Sequence, residues 1–207
     1  MTKEIQYALY VILGGYLSDR YVCRLTKGGD PRQNTARHST TPKTEKEQDA
    51  LCVSSVSCLI TIMALVELLG ESLQKKAKDD EKLPTSSLAG EGRFVGLYFS
   101  AHWCPPCRLF TPELVNFYND FKAKGTLEIV FVSSDADQGS FDGYFGSMPW
   151  LAVPYSDRQR KAELTRTFDV KGIPTLVILK ADTAEVVTKR GRDRVMKDPT
   201  GQDFPWG

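Results

Sequence analysis

Two cysteines stand in Trp103-Cys104-Pro105-Pro106-Cys107, directly after the apolar run Arg93 to Ser100 and directly before an amphipathic run. A Cys-x-x-Cys at a strand-to-helix junction puts the first sulfur at a helix N-terminus. Unpaired backbone N–H groups and the positive end of the helix dipole favour a thiolate there. The thiolate is the attacking species in thiol–disulfide exchange, and a second cysteine within reach closes the ring and releases product.

The rest of the cysteine distribution agrees with a working pair. Cys23, Cys52 and Cys58 fall in the first sixty residues, and from Met63 onward only Cys104 and Cys107 remain. A stretch with two cysteines holds no framework of structural disulfides, which argues for a reducing compartment, the cytoplasm or the nucleus. The net charge of +1 gives no bulk attraction for nucleic acid.

The chain divides into halves of different quality. Residues 1–62 are expected to be a poorly structured N-terminal extension, with a short apolar run from Tyr7 to Leu17 and a polar stretch from Thr26 to Asp49 that holds Gly28-Gly29, Pro31 and Pro42. The lead-in to the first run carries Glu4 against Lys3, and no small-x-small cleavage site follows, so secretion is not expected. A second apolar run, Leu51 to Val66, is shorter than a spanning helix, is bounded by Glu67 and has basic residues on both flanks. A membrane anchor there is the lesser alternative to a leader or a mistaken upstream start.

Residues 63–207 have the pattern of a folded α/β domain. Strands are expected over Arg93 to Ser100, Leu127 to Ser133, Leu151 to Tyr155 (a short edge strand), Thr175 to Lys180 and Glu185 to Arg190. Helices are expected over Pro105 to Lys124, Gln138 to Gly146 and Arg158 to Phe168, the first kinked at Pro112 and ended by Gly125. Strand-helix-strand-helix followed by a hairpin implies a central mixed β-sheet flanked by helices on both faces. Gly172-Ile173-Pro174-Thr175 enters the hairpin. A cis bond before Pro174 would turn the chain sharply and leave the Ile173 backbone open to an incoming peptide. An isolated proline at a strand entry would be trans; beside a Cys-x-x-Cys the cis form is expected.

These residues resemble the thioredoxin fold. The narrower resemblance is to its nucleoredoxin and tryparedoxin branch, most of all to nucleoredoxin. It is carried by Cys-Pro-Pro-Cys, by Leu127 to Asp135 (LEIVFVSSD), by Met148 to Tyr155 (MPWLAVPY), and by Lys197-Asp198-Pro199 with the terminal Phe204-Pro205-Trp206-Gly207. It starts near Met63 and runs to the last residue. The resemblance implies a thiol-disulfide oxidoreductase that reduces protein disulfides and contributes to cell redox homeostasis. Alternatives within the same branch are a redox-switched adaptor for signalling proteins and an electron carrier to peroxidases. The partners implied are disulfide-containing or signalling proteins, and an upstream reductase or low-molecular-weight dithiol. No cofactor, metal or nucleic acid is implied. One departure from ordinary thioredoxins is Tyr98, at the position of their buried Asp; the narrower branch also has an aromatic there.

Within the site, Cys104 is expected at the N-cap as the nucleophile, its acidity raised above that of a free thiol of pKa about 8.5. Pro105 at the first helical position forfeits only an N–H that is unpaired anyway, and Pro106 stiffens the loop. Cys107 is expected to be more buried and to resolve the mixed disulfide. Substrate contacts are expected from Trp103, Pro105, Pro106, Ile173 and Pro174, with Trp150 as a second wall of the site. His102 is expected to be a loop residue, and Arg108 either adds positive potential or is simply solvated. Asp135, Asp137 and Asp142 are expected to cap the helix from Gln138 rather than bind metal.

Overall fold

Alternate residues of three long strands face opposite sides of one sheet, and both sides are apolar. In the computed structural model, which describes residues 63–75, 81–122 and 125–206, the order of elements follows from that pattern. Residues 63–69 are helical and lead into a small antiparallel pair, β1 (Ser72–Gln74) and β2 (Lys82–Pro84), followed by a 3₁₀ turn, Thr85–Leu88. Then come β3 (Phe94–Ser100), α1 (Pro105–Lys122), β4 (Leu127–Ser133), α2 (Gln138–Phe145), β5 (Leu151–Ala152) and α3 (Arg158–Thr167). The chain closes with β6 (Thr175–Lys180), β7 (Val186–Thr188) and α4 (Gly191–Lys197). The expected extension, residues 1–62, with its first apolar run, the second run as far as residue 62, and Cys23, Cys52 and Cys58, lies outside the described residues.

Among the described residues the seven strands form one sheet in the order β2-β1-β5-β4-β3-β6-β7. β3 pairs parallel with β4 and antiparallel with β6, so the sheet is mixed. Val95, Leu97 and Phe99 of β3, with Val130 and Val132 of β4, pack against Leu65, Leu69 and the α3 residue Leu164. Tyr98 of β3, with Ile129 and Phe131 of β4, packs against Phe110, Leu114 and Phe117 of α1 and Phe141 of α2. The period of two therefore supplies two cores, one per face, and a strand buried on both faces has no polar alternation to show. Helices cover both faces, as expected.

Several boundaries need correction. β5 is not the sheet edge: Gln74 of β1 pairs with Ala152, so the β1–β2 hairpin lies outside it. The strand is also shorter than expected, because Val153 makes its last ladder contact (N–H to the Phe131 carbonyl, 2.9 Å) and Pro154 has no N–H to continue. β1, β2 and α4 escape a periodicity reading because each is too short for its period to register. Pro112 does lie inside α1, on its exposed side, where the Arg108 carbonyl loses its normal donor.

The C-terminal segment is a plug on the α1 face. Trp206 packs on Phe117, and its Nε1 donates to Asp198 Oδ2 at 2.8 Å. Asp198 also accepts from the Gln202 and Asp203 amides, and these hydrogen bonds, that of Trp206 foremost, hold its carboxyl below the usual carboxylate range. α4 reaches its seat because Gly191 has no side chain: a Cβ there would lie 2.7 Å from the Leu176 carbonyl oxygen. Gly191→Ala is expected to destabilise the protein by about 1–3 kcal/mol, read from the urea midpoint at unchanged slope.

Candidate active site: a disulfide at a helix start

The site is built where three chain ends meet. β3 ends at Ser100, and four residues later Cys104 occupies the N-cap of α1 with Pro105 as its first helical residue. The Cys107 and Arg108 amides both donate to the Cys104 carbonyl, at 3.1 and 3.2 Å. Cys104 and Cys107 are joined as a disulfide, with their Cα atoms 5.2 Å apart. Cys104 keeps 4% of its surface exposed and Cys107 keeps none. Both cysteines of the disulfide are thus buried, Cys107 completely.

The Ile173–Pro174 peptide bond is cis, as expected, and brings the Ile173 carbonyl oxygen to 3.8 Å from Cys104 Sγ. Ile173 also packs against Ala101, Cys104 and Cys107. Trp103 is 60% exposed, and its Nε1 donates to the Ser134 carbonyl at 3.1 Å, so the indole is pinned at one edge and open on its face. Pro105 and Pro106 are exposed beside it. The structure therefore groups Trp103, Pro105, Pro106 and Ile173 around the disulfide, with Pro174 buried next to Ile173 in the chain.

Trp150 does not belong to that group. It is 2% exposed, with its ring edge-on to Tyr98 and Tyr118 at 6.0 and 5.6 Å. It is a core residue because the short β5 that follows it is interior to the sheet, not because the site recruits it. The acidic trio separates as well. Asp137 caps α2 through the Ser140 amide, and Asp142 accepts from Gln138. Asp135 is buried and serves the active-site loop instead. Its Oδ1 accepts the His102 amide at 2.7 Å and its Oδ2 accepts the Ser133 hydroxyl at 2.8 Å. His102 is exposed, its ring against Tyr144.

Beneath the disulfide lies a set of hydroxyls that periodicity does not single out. Thr111 Oγ1 donates to the Cys107 carbonyl at 2.9 Å, and it also meets the Tyr144 and Tyr98 hydroxyls. Ser100 Oγ donates to Tyr98 Oη at 3.0 Å and lies 3.1 Å from Tyr144 Oη. The signal was present in the spacing. Tyr98 and Ser100 are two apart on one strand face, and Thr111 is four after Cys107 on one helix face. Tyr98 is wholly buried, and burial pushes its phenol far above neutral pH, so it stays protonated and acts as a hydrogen-bonding group rather than a base.

Residues 92–185 match the family model described as "Thioredoxin-like". The tryparedoxin of Trypanosoma brucei brucei is 47% identical over 115 residues, which cover 56% of this chain and 80% of that protein. The chain belongs to the nucleoredoxin and tryparedoxin branch of the thioredoxin-like oxidoreductases. The nucleoredoxin of Danio rerio is 50% identical over 123 residues, 59% of this chain but only 29% of that protein, so the chain spans less than a third of the nucleoredoxins' length. The crystal structure of tryparedoxin I from Crithidia fasciculata superposes with a TM-score of 0.63 at 43% identity, covering 69% of this chain and 96% of that one. Membership of this branch accords with the Cys-x-x-Cys pair and the mixed sheet.

Two outcomes are expected of the hydroxyl set. Thr111→Val removes the shared partner of two buried phenols and is expected to cost about 1–2 kcal/mol of stability by urea denaturation. The Tyr98 and Tyr118 phenols are held above the usual pKa of a tyrosine, both by burial first and Tyr118 also by Glu128, and this acts on the high-pH side. The unfolded phenols ionise near 10 while the folded ones do not, so stability is full below about pH 10 and declines as pH rises through it. Tyr98→Phe is expected to flatten that decline.

Proposed function

We propose that this chain is a protein-disulfide reductase whose working unit is residues 63–207, with residues 1–62 as an extension. The observation that carries the proposal is the Cys104–Cys107 disulfide at the start of α1, with Cys104 at the N-cap, the Ile173 carbonyl 3.8 Å from its sulfur and the exposed Trp103 beside it.

The Cys104 thiolate attacks one sulfur of a substrate disulfide. An S–S bond forms to Cys104, the substrate S–S bond breaks, and the leaving thiolate takes a proton from solvent. The Cys107 thiol then loses its proton and attacks Cys104 Sγ, which breaks the mixed disulfide and releases the second substrate thiol. The pair is left oxidised, and a dithiol donor restores it by the same exchange in reverse. The Cys104 sulfur is favoured as an anion by the α1 N-terminus. Tyr98 stays protonated and cannot take the Cys107 proton, so the acceptor is water or another group.

The donor is a low-molecular-weight thiol or an upstream reductase. A tryparedoxin II is known complexed with glutathionylspermidine, which supports the small-thiol option. The scarcity of cysteines from Met63 onward supports work in the cytoplasm or nucleus.

The test has two parts. Equilibration against glutathione is expected to place the Cys104–Cys107 potential nearer about −270 mV than about −120 mV, and a value above roughly −150 mV would count against a reductase. Cys107→Ser is expected to accumulate covalent complexes through Cys104 when incubated with oxidised proteins. If Cys104→Ser keeps partner binding intact and no complexes accumulate, an adaptor is the better account.

A further inference from the structure

One face of α1 is apolar and buried, as a helix on a sheet should be; part of the other face is apolar and exposed. Leu109 is 77% exposed, the highest value among the exposed large apolar side chains of the described residues. It lies four residues after Pro105, three after Pro106 and three before Pro112, and all three prolines are exposed. Residues at that spacing share one helix face, so they form a single stripe leading away from the disulfide. From Pro105 to Pro112 the stripe rises roughly 10 Å, the reach of about three extended residues. The exposed neighbours Arg108 and Glu113 carry opposite charges, so the rim selects no sign of charge.

What covers this stripe follows from the chemistry at its end. Cys104 is the residue immediately before Pro105, and during exchange it is covalently bonded to a substrate sulfur. The chain that carries that sulfur is tethered at the head of the stripe for the lifetime of the mixed disulfide. We propose that Leu109, with Pro105 and Pro112, receives an apolar side chain lying within three residues of the substrate's half-cystine. Leu109 is then a specificity-determining residue, and the substrate class is a peptide or protein disulfide with an apolar neighbour rather than a small free disulfide. This rests on the reductase reading above.

Two disulfide-linked peptides test it, identical except for Leu or Ser at the third position on both sides of the half-cystine, with dithiothreitol as donor. Wild-type protein is expected to favour the Leu peptide in kcat/KM by roughly fivefold, the gain from partly burying one leucine. Leu109→Gln keeps helix propensity and is expected to erase the preference; Leu109→Met is expected to retain it. Equal kcat/KM on both peptides for wild type, or a preference that survives in Leu109→Gln, overturns the inference and leaves the reductase reading standing. A wild type that reduces neither peptide overturns the reading and the inference with it.

Discussion

The register of β3 between its two neighbours is the constraint from which the site descends. A parallel neighbour brings its C-terminal end to the C-terminal end of a strand, and an antiparallel neighbour brings its N-terminal end. β3 has one of each: Ser100 sits opposite Ser133 of β4, and Phe99 sits opposite Thr175 of β6. Three loops must therefore leave the same sheet edge together. They are the loop into α1 that carries Cys104, the loop after β4 that carries Ser134 and Asp135, and the cis Ile173–Pro174 segment before β6. The contacts that complete the site are then short-range consequences. Trp103 donates to Ser134, Asp135 accepts from His102, and the Ile173 carbonyl approaches Cys104. A one-residue slip of β3 would exchange its two faces and dismantle all three.

The same strand joins the two cores to the chemistry. Tyr98 contributes its ring to the aromatic core, edge-on to Trp150 and Phe110, and its hydroxyl to the set under Cys107. A carboxylate at that point would need a partner or a shifted protonation to be tolerated under the sheet. A phenol needs only hydrogen bonds, and Ser100 and Thr111 provide them. The interior beneath the disulfide is thus neutral and internally satisfied, while the electrostatic bias on Cys104 comes from the helix end. The hydroxyl set lies against Cys107 and the helix end against Cys104, so the two cysteines sit in different local environments.

Much of this was legible in the sequence, and the misses share a cause. β3, α1, β4 and β6 are long enough for their period and their caps to show, and their ends fell within a residue or two of Phe94, Pro105, Leu127 and Thr175. β1, β2 and α4 are decided by what they pack against. α4 depends on Gly191 meeting Leu176, and nothing in its own seven residues announces that contact. Trp150 was misjudged for a related reason. A tryptophan after Met-Pro looks like a loop residue until the hairpin outside β5 is known, and with that hairpin in place the residue is interior. Asp135 was expected to cap α2 and instead accepts the His102 amide, because that partner is brought to it by the β3–β4 register rather than by nearby sequence.

Residues that face inward and outward near the pair are governed by different demands. Inside, Cys107, Thr111, Tyr98 and Tyr144 are held by one another, and their geometry does not depend on anything bound. Outside, Trp103 and Leu109 keep apolar surface in water without an internal partner among the described residues beyond the single indole hydrogen bond. Exposed apolar surface of this kind is common when scattered, but here it flanks the Cys104–Cys107 disulfide. The interior is thus satisfied within the fold, while the apolar rim beside the disulfide stays open to solvent.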